Sequence, residues 1–422
     1  MQFALALTIF IAGVLCTLRL GGEPFRALRH LGGGRDAGRG ALPPFAALSS
    51  ALCGTLGVGS VLAVLPALAQ GGPGTLVPLW LGSLTGCSLK YAEILITMRH
   101  RSDALSGAMV ALQEKSPLLG ALYALLCLPV ALLGMGNLAQ AQALSQTLYV
   151  CAGVPRWATA LPVLILLAAL TAGGLRRIGR ASEVALPVFG GVYVALCLWA
   201  LWRLRAALPT VFSGILHGFA PDARTFALGV ARGLFISEAG LGTSAFAHSQ
   251  STAHPSAQGA LGVCEVLFST LLCTLTALVA LATGVPLTGD AARTAQAVFS
   301  AAMGTAGPAL LCAMLCFFAL STLPVWWFYG LQCVRFLFRR AWAQRVYTAL
   351  FLLTAFAGCL LPVHGVWSAA DVFNLLLALP CLAMLALYRR ELGRKPLANP
   401  PCSMYTHLQK RAAPRGKIRR RT

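Results

Sequence analysis

Two short stretches of this chain share a pattern suited to holding a charged solute: Gly57-Val58-Gly59-Ser60 and Gly240-Leu241-Gly242-Thr243, each Gly-x-Gly followed by a hydroxyl residue. Glycine lets a backbone leave helical geometry at low steric cost. A helix unwound there exposes amide N–H groups at one half-helix start and carbonyl oxygens at the other half-helix end. The first suit a carboxylate, the second a small cation. A zwitterionic amino acid together with a cation fits such a site. One such pattern alone reads as close helix packing through small residues; two at matched positions reverse that preference.

Glu238 stands in the second stretch. In a bilayer its carboxylate would cost about 2.5–3.5 kcal/mol at mid-depth, so it needs a function or a partner. It reads as a substrate-ammonium contact, a cation ligand, a proton site or a brace for the unwound turn, with backbone N–H groups or Arg232 to satisfy it. Lys90 and Glu93 are three apart on one helix face and read as a mutual, snorkelling pair. Glu183 and Asp371 lie near segment starts, and Glu265 has no evident partner. His248 and His254 lack metal-like spacing, and no chemistry is assigned to them. The fourteen cysteines show no CxxC and read as buried small hydrophobes, Cys312 and Cys316 sharing a helix face. With no nucleophile–base pair, zinc spacing or phosphate loop, the chain does not read as an enzyme and no cofactor is expected.

The elements that position these residues are membrane spans. The 422 residues are 58% hydrophobic and only 11% charged, against about 25% charged in a soluble domain. Eleven apolar runs approach or exceed the length of about 20 residues that a hydrocarbon core requires: 3–18, 45–69, 75–98, 118–150, 157–175, 184–202, 225–249, 259–284, 305–334, 346–363 and 366–388. The stretch 291–303 is shorter, carries Arg293, and reads as an interfacial or re-entrant helix.

The formal charge of +21 is unevenly placed. Cations follow the first, third, fifth and ninth runs and fill the tail. The positive-inside rule then puts the N-terminus outside, the tail in the cytoplasm and the protein in the inner membrane as a multi-pass chain. The first run keeps its cations after the apolar stretch and reads as a retained anchor, not a cleaved signal. The tail KRAAPRGKIRRRT reads as a solvated segment drawn to anionic lipid, with no nucleic-acid role.

Each Gly-x-Gly lies in the first span of a block of five, 45–202 and 225–388. An odd number of spans per block gives opposite orientations, the mark of an inverted-repeat transporter with its site at the midplane. The organisation is therefore 1–40, an anchor helix and basic loop; 41–206 and 207–390, two repeats; and 391–422, a basic tail.

At these residues the chain resembles the alanine/glycine:cation symporter family, from about Thr17 to Tyr388. The matching stretches are GTLGVGS, AQGGPG and KYAE in the first two core spans, GMGNLAQAQ (Gly134 to Gln142) and GGLRRIGRASEVALPV (Gly173 to Val188, the loop and entry to the fifth core helix). GVARGLFISEAGLGTSAFAH (Gly229 to His248) is the most specific, and FFALSTLPVWWFYG and ADVFNLLLALP extend it. The resemblance implies an all-α, leucine-transporter-type fold of ten core helices with one extra N-terminal helix. It also implies sodium-coupled uptake of alanine or glycine by alternating access.

Carried over by position, Gly57, Val58, Gly59 and Ser60 would contact the substrate carboxylate or an ion, and Gln140 would face the pocket. Phe235, Ser237, Glu238, Gly240 and Gly242 would form the other wall. Ser321 and Thr322 fall where the fold places hydroxyl ligands for sodium, opposite carbonyls near Cys53 and Leu56. The family usually shows Gly-Thr-Gly-Asn where this chain has Gly57-Val58-Gly59-Ser60, and Ser-Asn-Glu where it has Ile236-Ser237-Glu238. Gln142 stands for an asparagine and Leu331 for a glutamate. Two lost side-chain amides thin the hydrogen-bonding inventory. They leave open another small solute, coupling to protons, or a non-transporting amino-acid sensor on the same scaffold.

Overall fold

A computed structural model of the chain describes residues 2–30, 40–102, 105–219, 222–361 and 366–392. The basic tail from 393 onward, with its expected lipid contact, and Arg35 and Arg39 of the first basic loop lie outside these residues. Among the described residues the secondary structure is helical, apart from one isolated bridge between Leu42 and Ser251.

The apolar N-terminal run forms α1 (Gln2–Leu20), followed by a single turn, α2 (Glu23–Ala27). The second run starts on Pro43-Pro44, whose fixed φ suits a first helical turn. It forms α3 (Pro44–Thr55), stops at Leu56, and resumes as α4 (Gly59–Leu62) and α5 (Val64–Gly71), bent by 61° from α3. Next come α6 (Leu76–Arg99) and a short α7 (Ala108–Lys115), which the apolar runs did not indicate. The long run 118–150 is two helices, α8 (Pro117–Leu133) and α9 (Leu138–Ala152), parted at the glycines Gly134 and Gly136. After α10 (Arg156–Ala172), α11 (Gly174–Arg203) takes in residues 176–183, which lie between the apolar runs. Its glycines and arginines are carried as helix.

A short α12 (Leu208–His217) leads to α13 (Ala223–Ile236), whose start is capped by Asp222 accepting from the Thr225 N–H at 2.9 Å. Residues 237–244 then leave helical geometry before α14 (Ala245–His248). The remainder is α15 (Pro255–Thr283), the expected short α16 (Ala291–Met303), α17 (Ala306–Phe338), α18 (Ala341–Leu360) and α19 (Val366–Leu387). Asp290 caps α16 by accepting from the Ala292 and Arg293 N–H groups, both at 3.1 Å.

Packing sorts the helices into two groups. In one, α6 lies against α13 and α15, with α3 on α15; in the other, α9 lies against α17 and α18, with α10 on α18. The α6–α13 approach is close because Gly82 and Gly233 lie where a Cβ would meet the opposing backbone. Large apolar side chains point outward on the periphery: Trp157, Leu161 and Ile165 on α10, Leu198 and Trp202 on α11, Leu350 and Leu353 on α18. Polar and charged side chains, Lys90, Glu93 and Glu265 among them, are buried instead. That inversion is what hydrocarbon as solvent demands.

A cavity between two helix breaks

Both Gly-x-Gly stretches are breaks, and they differ in how their exposed backbone groups are satisfied. At the first, α3 ends at Thr55, and the Val58 N–H donates across to Gln140 Oε1 on α9 at 3.0 Å. Gly57 is required there because a Cβ would strike the Gln140 amide. At the second, Glu238, Gly240 and Gly242 all have positive φ (51°, 88° and 71°), a conformation that favours glycine and strains glutamate. The Gly240 and Gly242 N–H groups donate to the two oxygens of Glu93, at 2.6 and 3.2 Å. A carboxylate from α6 therefore already fills the anion-binding turn that the sequence offered to substrate.

Lys90 and Glu93 do not pair with each other as their spacing suggested. Lys90, with no exposed surface, donates to the Glu238 carbonyl oxygen at 3.2 Å, Ser244 Oγ at 2.8 Å and Glu265 Oε1 at 3.3 Å. Glu265 is not partnerless: Oε1 also accepts from Thr55 Oγ1 at 2.5 Å, and Oε2 lies 2.9 Å from His248 Nε2. The Gln258 amide nitrogen is 2.6 Å from His248 Nδ1, which leaves the imidazole proton on the nitrogen facing Glu265. Glu238 is satisfied by Thr243 Oγ1 at 2.6 Å, with no bond to Arg232.

Between the breaks lies a cavity of about 380 Å³. Of the expected solute contacts, Gly57, Gly59, Ser60, Gln140, Phe235 and Glu238 line it, while Val58, Ser237, Gly240 and Gly242 do not. Ser237 turns its hydroxyl back to the carbonyls of Gly233 and Leu234, at 3.1 and 3.0 Å. Sequence reading missed Gln142 and Gln146 on α9, Arg232 on α13, Asp290 before α16 and Asn374 on α19, which also line it. Polar side chains inside apolar runs were the available signal for all of these but Asp290, which precedes the short stretch 291–303.

For the expected sodium ligands, Thr322 Oγ1 is 2.7 Å from the Cys53 carbonyl oxygen, so those two oxygens meet. Ser321 donates to the Phe318 carbonyl at 3.0 Å, and the Leu56 N–H to the Leu52 carbonyl at 2.7 Å. Oxygen donors of this kind suit a hard cation.

The cavity reaches residues 289–292, at the α15–α16 end of the bundle. Elsewhere, main chain just before α3 and the Arg101 side chain are tied to the segment after α14. Leu42 donates to the Gln250 carbonyl and accepts from the Thr252 N–H, both at 3.0 Å, and Arg101 donates to the Ser249 and Ser251 carbonyls at 2.9 and 2.6 Å.

A model described as the sodium:alanine symporter family matches residues 1–395. The sodium/alanine symporter AgcS of Methanococcus maripaludis is 31% identical over 412 residues, covering 89% of this chain and 89% of AgcS. An uncharacterized transporter of Haemophilus influenzae is 30% identical, covering 90% of this chain and 89% of that protein. Among solved structures, MhsT in complex with L-phenylalanine matches with a TM-score of 0.64 at 14% identity, covering 83% of this chain and 89% of that one. The fold is accordingly the leucine-transporter type.

Proposed function

The chain belongs to the sodium:alanine symporter family, and from that premise we propose that it carries alanine or glycine across the cell membrane together with sodium, by alternating access. It is a multi-pass membrane transporter and not an enzyme. The observation that carries the reading is the cavity itself, lined from one side by the first helix break and from the other by Glu238 of the second. Gly57, Gly59, Ser60 and Gln140 take the substrate carboxylate, and Glu238 faces its ammonium. The Cys53 carbonyl and Thr322 hydroxyl supply oxygens to sodium, with Ser321 and Leu56 next to them.

The two blocks 41–206 and 207–390 act as inverted repeats that rock about this site. The N-terminus lies outside and the tail in the cytoplasm, as the cation distribution favours. The sensor alternative drew on the lost amides at Ser60 and Ser237. Gln142, Gln146 and Asn374 return amides to the same cavity, which favours a solute-binding carrier.

The test is uptake of labelled alanine and glycine into proteoliposomes, with and without an inward sodium gradient, at matched pH and voltage. Sodium-stimulated accumulation is expected. A folded protein that accumulates neither solute under any gradient would refute the reading.

A further inference from the structure

Of the buried ionisable groups, Lys90 plays no part in the transport scheme above, yet its surroundings are those of a cation site. Three oxygens converge on one point: the carbonyl of Glu238 at the unwound turn, the hydroxyl of Ser244 and a carboxylate oxygen of Glu265. An unwound carbonyl, a hydroxyl and a carboxylate are the donor set that a small hard cation takes. An ammonium has three N–H donors and no acceptor, and here each of the three has one oxygen. The point is wholly buried, and the charge of Glu265 is matched by that of Lys90. The remaining Glu265 contacts, to Thr55 Oγ1 and His248 Nε2, are both donors to the carboxylate.

We propose that Lys90 is a built-in cation, its ammonium filling the Glu238–Ser244–Glu265 position that a second transported ion would take, so that a single coupling cation accompanies each substrate. The inference rests on the sodium-symport reading. It explains why a lysine lies deep in the bundle instead of reaching for its end: it joins both helix breaks, through Glu265 to Thr55 at the first and directly to the Glu238 carbonyl at the second. The ion that moves is then left the Cys53–Thr322 oxygens alone.

The experiment is alanine accumulation at equilibrium in proteoliposomes clamped at zero voltage and equal pH. A tenfold sodium gradient drives about tenfold accumulation with one ion and about a hundredfold with two. About tenfold is expected for the native chain, and a hundredfold would overturn the proposal while leaving sodium symport intact. Absence of any sodium-driven accumulation would overturn both. Lys90→Met should open the position beside the Glu265 carboxylate and raise accumulation towards a hundredfold. Lys90→Met combined with Glu265→Gln, which removes the carboxylate as well, should return it to about tenfold. A folded, active Lys90→Met protein that still accumulates tenfold would reduce Lys90 to a brace and overturn the proposal. Should that variant fail to fold, the native stoichiometry remains decisive against it.

Discussion

Replacing Gly57 with alanine should damage the site through a neighbour. The added Cβ would lie 2.7 Å from Gln140 Cδ and 2.8 Å from Gln140 Oε1, well inside van der Waals contact. The Gln140 side chain must swing away, and its Oε1 then leaves the Val58 N–H it now holds at 3.0 Å. Val58 is fully buried, so the freed N–H costs about 1–3 kcal/mol. The alanine restricts the unfolded chain, which offsets about 0.4–1 kcal/mol. A net loss of about 1–2 kcal/mol remains, a factor of roughly 5–30. Thermal unfolding in detergent reads the stability, and alanine affinity reads the site, since Gln140 lines the cavity. The decisive measurement is a double-mutant cycle with Gln140→Ala, because either substitution alone strands the same N–H. The pair should cost no more than Gln140→Ala alone, leaving a coupling energy of about 1 kcal/mol. Additive losses, or a Gly57→Ala protein with native stability and affinity, would refute the reasoning.

Glu93→Gln puts an amide where two N–H groups need acceptors; the loss should be about 2 kcal/mol or more, with charged acceptors worth roughly 1.5–3 each. Unchanged thermal unfolding would show that the second break does not depend on Glu93. Glu238→Gln should lower alanine uptake by about tenfold or more through loss of a charge-assisted contact; uptake equal to the native protein's would exclude both a proton-carrying and a charge-based binding role. His100 lies between Glu114 Oε2 at 2.6 Å and Glu391 Oε2 at 3.2 Å, just beyond the end of α6. Burial works against its charged form, but the two carboxylates outweigh that and raise its pKa above the ordinary 6.5. The stability from this clamp is therefore complete below about pH 6.5 and fades as pH climbs through the raised folded value. His100→Gln should flatten that slope; parallel pH profiles for the two proteins would count against it.

Much of the fold was legible because hydrocarbon as solvent imposes one rule, apolar runs of sufficient length, and the chain obeys it. The two breaks were legible from paired glycines, and α16 from the short run that ends the Asp290 loop. What misled was local spacing among charges. Lys90 and Glu93 sit three apart, and helix geometry alone pairs them. In the folded chain, neighbouring helices offer better partners, 147 or more residues away, and the two side chains part to reach them. Glu265 and His248 looked inert for the same reason: their partners, Lys90, Thr55 and Gln258, come from three different helices. Arg232 was the nearest cation in sequence to Glu238, whereas the turn brings Thr243 within 2.6 Å.

The unequal treatment of the two breaks bears on which one recognises solute. At the second, the N–H groups of Gly240 and Gly242 are held by Glu93, and the Glu238 carbonyl by Lys90. Its polar backbone is thus spoken for by side chains from α6, and Arg232, Phe235, Ile236 and Glu238 face the cavity from that region. At the first break the Val58 N–H is held by Gln140, the Cys53, Gly54 and Thr55 carbonyls accept from Thr322, Trp326 and Ser60, and Gly54, Thr55, Gly57, Gly59 and Ser60 all line the cavity. A solute carboxylate therefore competes with a neutral amide at the first break, and with a buried carboxylate at the second. Displacing the buried carboxylate would strand a charge, at a cost of several kcal/mol. On the proposed reading, the first break takes the solute's carboxylate, and the second holds its shape and presents Glu238. Substitutions that alter selectivity should accordingly fall near Ser60, Gln140 and Gln142, while those around Lys90 and Glu93 should alter stability and ion count.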